Sequence, residues 1–244
     1  MLNHHSGQER AVVRAALCLK WLTLWGGFML IPAIGVVRKC ANWNETAEAR
    51  SSWAGLARQM ELLEQGKIDC LVRPDARFVD RLFTNRECIA KVSLLCVGGD
   101  LSDGRLARLG ELPNVRCLTA IGGKNIDAFL KNMGSTPTLQ EIALLYTYPT
   151  DDTVRLICDL PNLRSLHLSF THGKDDSLRH LNNHCSLEVL SLDGVRCDER
   201  LLTILQSIPH LRRCTLGYRD IGMTFEASLR KAVPACHVRI SPAR

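Results

Sequence analysis

His180 and His184 stand four residues apart with Cys185 beside the second. At that spacing two imidazoles can share one helix face and hold a metal ion. His184, however, fills a position taken elsewhere in the chain by Leu112, Leu160 and Ile208, so packing accounts for it and no metal ligand set is expected. Ile121-Gly122-Gly123-Lys124 has the glycines and the lysine of a phosphate-cradling loop but lacks the Gly-Lys-Ser/Thr ending, and reads as a turn. The acid pairs Asp151-Asp152 and Asp175-Asp176 could chelate calcium, yet each stands where a helix should begin and is explained as a cap. No serine–histidine–acid arrangement with a nucleophile elbow and no dinucleotide fingerprint is present. Catalysis, a cofactor and a bound metal are therefore not expected, and the chemistry left to this chain is recognition.

For recognition the informative residues recur in step. Tyr146, Tyr148, Phe170, His172 and Tyr218 fall just past successive short apolar stretches, where a strand would end. Aromatic side chains in such a strip are favoured anchors in protein interfaces; packing between adjacent loops is the competing explanation. Within the stretches, alternate residues point to the side opposite the leucines. In order they are Ser93, Leu95, Val97; Cys117, Thr119, Ile121; Glu141, Ala143, Leu145; Ser165, His167, Ser169; Val189, Ser191, Asp193; and Arg213, Thr215, Gly217. The first three sets are largely apolar and the later ones polar. The candidate partner-binding residues are thus Tyr146, Tyr148, His167, Phe170, His172, Asp193, Arg213 and Tyr218.

The elements that must hold these residues follow from a 24-residue period, which runs through seven units with no insertion or deletion when aligned on Leu163. Its first column reads Lys91, Val115, Leu139, Leu163, Leu187, Leu211 and Ala235. Three residues on stand Leu94, Leu118, Ile142, Leu166, Leu190, Cys214 and Val238, and two further Cys96, Ala120, Leu144, Leu168, Leu192, Leu216 and Ile240. Apolar residues two apart predict a short strand. Fifteen and eighteen residues beyond the first column come Leu106 and Leu109, Leu130 and Met133, Val154 and Ile157, Leu178 and Leu181, Leu202 and Leu205, a separation that puts both on one helix face. Asp103, Asp127, Asp151, Asp175 and Glu199 open those helices, where a carboxylate can accept free backbone N–H groups. Pro113, Pro137, Pro161 and Pro209 separate helix from next strand. A weaker unit begins at Lys67, with Cys70 and Val72 in the strand columns, and Ala47–Gln65 reads as a helix covering the first strand, stopped by Gly66.

The pattern L-x-x-L-x-L, then D-x-x-L-x-x-L, then P-x-L resembles the leucine-rich repeat. Within that family it is similar to the cysteine-containing, F-box-associated type and to bacterial repeats of short D-x-x-L-x-x-L form. The resemblance covers about residues 88–244, and its motifs are most specific over Asp151–Leu216. It implies an α/β solenoid, a horseshoe with parallel strands on the concave face and short helices on the convex face, used as a binding scaffold and carrying no catalytic residues. The asparagine usual in the ascending loop is absent, its place taken by Gly99, Gly123, Thr147, Thr171, Val195 and Arg219.

The net charge of +6 is unevenly spread: residues 1–40 carry +4 and the rest +2. A nearly neutral repeat region lacks the clustered cations that nucleic-acid binding needs, so none is expected. Trp21 to Val37 is an uncharged run of seventeen residues, roughly 25 Å as a helix, which Ala15–Leu19 lengthens because Lys20 can snorkel. A single transmembrane anchor over residues 15–39 is the expectation, preferred to a cleaved signal peptide, for which the leading region is long and no small-x-small cleavage site follows, and to a buried helix. The eleven cysteines are odd in number and show no C-x-x-C, with Cys70, Cys96 and Cys214 in apolar columns; buried free thiols in a reducing compartment would put the repeats on the cytoplasmic side. The organisation expected is a tail at 1–14, the membrane helix at 15–39, a linker and capping helix at 40–66, and the repeat domain at 67–244. The function expected is a membrane-anchored scaffold binding a protein through its concave face and aromatic rim. The alternatives are an envelope-organising protein that binds a glycan and the substrate-recognition arm of a degradation complex.

Overall fold

A computed structural model describes residues 52–242, except 125, 134–135, 148, 170–174 and 223. The chain divides into two compact units, Met1–Arg58 and Gln59–Arg244. The second is an α/β structure built on one sheet, in which the described strands are all parallel and follow one another in sequence order from β1 to β8. They are β1 (Cys70–Val72), β2 (Leu94–Asp100), β3 (Cys117–Lys124), β4 (Glu141–Leu145), β5 (Ser165–Ser169), β6 (Val189–Cys197), β7 (Arg213–Ile221) and β8 (His237–Pro242). Helix α1 (Ser52–Glu64) precedes β1, and α2 (Ala76–Leu82) with α3 (Arg86–Lys91) leads to β2. After β2 come α4 (Gly104–Ala107) and a 3-10 turn (Arg108–Glu111), after β3 α5 (Ile126–Met133), and after β4 α6 (Asp151–Cys158). A 3-10 helix (Asp175–Leu181) follows β5, α7 (Glu199–Gln206) follows β6 and α8 (Phe225–Ala232) follows β7. Strands that pair with their sequence neighbours in parallel, each pair bridged by a helical segment, make a solenoid-like repeat in which every unit is buried by the next.

The core lies between one face of the sheet and the helices. Leu118, Ile142, Leu166, Leu190 and Cys214 are fully buried in a single row across the strands, as are Ala120, Leu144, Leu192 and Leu216 in the next. Leu109, Met133, Ile157, Leu181, Leu205 and Leu229 close over them from the helical side, and Ile142 lies among Leu130, Met133, Leu156 and Ile157. On the helical side successive units pack closely where Gly110 meets α5: a Cβ there would stand 2.7 Å from the Asn132 side chain and 2.9 Å from its backbone.

The period is not uniform. The strands from β3 onward pair at the expected spacing of 24 apart from a bulge at Val195 opposite Tyr218, but Leu94 of β2 lies opposite Cys117, a step of 23, and the count is restored only at Asp100 opposite Lys124. The rows upstream are therefore Val92, Leu95 and Val97, with Leu71 in β1, all buried, and not Lys91, Leu94 and Cys96 with Cys70 and Val72. Because side chains alternate along a strand, a slip of one residue exchanges the faces completely. Leu94-Leu95-Cys96-Val97 is apolar throughout and offers no alternation from which to choose. The expectation that Leu95 and Val97 point away from the core is thus corrected; Cys70, Cys96 and Cys214 are all buried free thiols, Cys214 in the leucine row and the other two on the opposite side of the sheet. The lost residue is regained beside Gly99 (φ 83°) and Gly122 (φ 60°), where a left-handed backbone costs glycine little.

The helix caps also differ from expectation. Asp103 caps α4 as expected, accepting from the Arg105 backbone N–H at 2.9 Å. Elsewhere the cap is the preceding residue: Thr150 for α6 and Asp198 for α7. The carboxylates one position inside are free to tie neighbouring units together. Asp127 accepts from the Thr150 hydroxyl and from Thr153, and Asp151 from Arg179 at 2.6 Å and from His180 at 3.2 Å. A second tie stands just before β3, β4, β5 and β6. Asn114, Thr138, Asn162 and Ser186 donate to the carbonyls of Ala90, Val115, Pro137 and Leu163 one unit back, at 2.8–2.9 Å.

The β1 edge is closed by a side chain. The Gln59 amide of α1 donates to the Val72 carbonyl at 2.9 Å and accepts from the Val72 N–H at 2.8 Å, supplying both bonds that a further strand would make. Helix α1 ends where Gly66, at φ 67°, lets the Lys67 N–H reach the Leu62 carbonyl. No helix among the described residues is long and apolar enough to cross a membrane; the segment 15–39, the tail before it and the linker up to residue 51 lie outside those residues.

Candidate functional site

The face of the sheet turned away from the helices carries three rows of side chains. The row at the strand starts runs Cys70, Leu94, Cys117, Glu141, Ser165, Val189, Arg213 and His237. The second runs Val72, Cys96, Thr119, Ala143, His167, Ser191, Thr215 and Arg239, and the third includes Gly98, Ile121, Leu145, Ser169, Asp193, Gly217 and Ser241. Val72, Leu94, Ile121 and Leu145 are half-buried at the β1–β4 end, whereas His237 and Arg239 are exposed at the β8 end. The face thus grades from apolar to cationic in chain order.

Three polar groups are set into this face rather than on it. His167 is largely buried, and desolvation pushes its pKa down to about 4, so the ring is neutral near pH 7. Its Nε2 lies 3.2 Å from the Ser165 hydroxyl. Asp193 folds its carboxylate down over Gly217; a Cβ at that glycine would overlap the Asp193 side chain. Burial holds the Asp193 carboxyl above the usual carboxylate range, offset by the Gly194 backbone N–H. Glu141 is raised for the same reason, with the Cys117 thiol 3.7 Å from its Oε2. The thiols on this face are poor nucleophiles: desolvation lifts Cys96 to about 11 and Cys117 to about 12.

Tyr146 is the large apolar side chain most open to solvent among the described residues, 54% exposed. Its backbone is left-handed, at φ 54°. The corresponding position in three other units belongs to Gly99, Gly122 and Gly194, with φ of 83°, 60° and 74°. A non-glycine residue there costs about 1–2 kcal/mol, so this unit holds an aromatic ring outward at the expense of backbone comfort.

The structure brings His167, Asp193 and Arg213 onto one face as expected. Tyr146 stands at its rim, beside Leu145. Tyr218 is half-buried in β7 opposite Val195, past a bulge at Gly194, and so belongs to the upper margin rather than to the rows. Tyr148, Phe170 and His172 lie outside the described residues. His180 and His184 do not converge: His180 is taken by Asp151, while His184 is buried, with neither ring nitrogen bonded to protein. Among the described residues no group of three or more histidine, cysteine or acidic side chains is arranged to hold a metal ion. His237 and Arg239, outside the sequence candidates, continue the rows of Arg213 and Thr215 in the last strand; their positions two and four residues past Ala235 are the signal that marks them. No family model matches this chain, and no curated protein matches it.

Proposed function

We propose that the chain is a leucine-rich-repeat scaffold, a horseshoe anchored to a membrane by residues 15–39, that binds a protein partner through the strand face and its rim. The observation that carries this reading is Tyr146: a solvent-exposed aromatic in a left-handed position that three other units give to glycine. An exposed ring held in a backbone conformation that is costly for a non-glycine residue supports a use in binding. Support comes also from the sheet. Its strands are held by a continuous hydrogen-bonded ladder, so little backbone ordering entropy is lost on association. The partner engages Leu145, Tyr146 and the polar middle of the face around His167 and Asp193.

The test is a photo-reactive amino acid introduced at Leu145 or Tyr146 in the full chain in its native cells. A covalent adduct to one protein from both positions, and none from Arg155 on helix α6, is the expected result. Equal labelling from all three positions would remove the reading. Replacing Leu22, Leu24, Leu30 and Ile34 with serine is expected to release the chain from the membrane fraction.

A further inference from the structure

The strand face has two chemically different ends separated by a measurable distance. At β1–β4 the partly exposed residues of these rows are Val72, Leu94, Ile121 and Leu145, all apolar; the charges at this end include the Arg73 guanidinium beside Gly98 in β2 and Glu141 at the start of β4. At β7–β8 the same rows carry Arg213, His237 and Arg239. Arg213 and Arg239 have no ion-pair partner among the described residues; the neighbouring Arg212 and Arg230 are paired, with Glu188 and Glu226. The acid on the face nearest to them, Asp193, is turned onto Gly217 and bonded to the Gly194 N–H, and no guanidinium acts on it. Two cations left without a counter-charge on a face otherwise rich in short polar groups call for an anionic counterpart from outside.

Adjacent strands stand about 4.8 Å apart, so β3 and β7 are roughly 20 Å apart across the sheet. An extended peptide covers that distance in about six residues, at roughly 3.3 Å each. We infer that the face takes an extended segment of a partner protein bearing an apolar anchor for the Ile121–Leu145 end and, about six residues away, a pair of acidic side chains for Arg213 and Arg239. This rests on the protein-binding reading above and gives it a partner chemistry. An apolar anchor alone would not use the cationic end, and an acidic segment alone would leave Val72, Leu94 and Ile121 half-exposed to water.

The experiment is selection of displayed random 16-residue peptides on the immobilised full chain, followed by affinity measurement on the Arg213→Glu/Arg239→Glu double variant. Both arginines lie at or near the surface, so the fold is expected to persist, which circular dichroism checks. Enriched peptides should pair an aliphatic or aromatic residue with two acids at a spacing of about six. They should lose at least tenfold in affinity on the double variant, and peptides with lysine in place of the acids should recover at least part of it there. Enrichment of uncharged or basic peptides, no enrichment at all, or affinity indifferent to the charge reversal would each overturn the inference. So would an intramolecular cross-link from Ile121 to residues 1–51, which would make that segment the occupant. The cross-linking test from Leu145 and Tyr146 is blind to peptide charge. If it succeeds while the selection fails, only the bipartite chemistry falls and the protein-binding reading stands.

Discussion

Gly217 and Asp193 show how much can depend on one missing methyl group. The glycine does not need an unusual backbone; it needs empty space above its Cα, because the Asp193 carboxylate occupies the place a side chain would take. Gly217→Ala is therefore expected to cost about 1–3 kcal/mol in chemical denaturation, as overpacking does. The same change made together with Asp193→Ala should cost much less, and a double-mutant cycle measures the difference. His167 gives a pH-dependent counterpart. Its folded pKa of about 4 lies below the ordinary histidine value of 6.5, so between those limits the unfolded chain binds the extra proton. The stability that goes with the neutral ring is complete above pH 6.5 and is lost as the pH falls toward 4, by about 3 kcal/mol. Burial depresses His184 as well and adds the same sign, whereas Glu141 and Asp193, raised by burial, act oppositely. Comparing urea midpoints of the native chain with His167→Gln at pH 7.5 and pH 5 cancels those shared terms; a gap that does not narrow at the lower pH would refute the assignment.

At the scale of elements, the sequence announced most strands and helices but left their facing ambiguous wherever polar residues were missing. From β3 to β7 the alternation of leucine with Thr119, Glu141, His167, Ser191 and Thr215 settles which side is inward, and the structure agrees. In β2 four apolar residues in a row cannot settle it, and the pairing with Leu71 and Leu118 decides instead. The helix starts were legible to within one residue, but a cap depends on which residue turns out of the helix, and Thr150 and Asp198 do so ahead of the expected acids. Gln59 could not be read at all: nothing in a helical stripe marks one glutamine as the closure of a sheet edge. Gln59→Ala leaves the Val72 N–H and carbonyl without partners, at a cost of about 2–3 kcal/mol. Gln59→Glu should be no better, since a carboxylate sets an acceptor against the Val72 carbonyl. Faster amide exchange at Val72 in both variants is the confirming measurement.

Over the whole molecule, stability is shared along the stack and not held in a central nucleus. Leu166 in β5 is fully buried with a neighbour on each side, whereas Val238 in β8 is flanked on one side only. Leu166→Ala is expected to lose about 3–4 kcal/mol and to lower protection against hydrogen exchange across β4–β6. Val238→Ala should lose about 1 kcal/mol and affect β8 alone. Equal losses, or loss of protection everywhere in both, would mean that the stack unfolds as one block. The architecture was legible because a repeated period constrains every unit at once; the chemistry of the outer face of the sheet was less so, because its residues do not repeat from unit to unit. One feature of the stack reaches beyond energetics. A unit one residue shorter than its fellows is reconciled with them inside a single turn of chain by Gly99 and Gly122. Adding or removing one residue at such a hinge is therefore expected to be absorbed locally, leaving the later units in phase with one another.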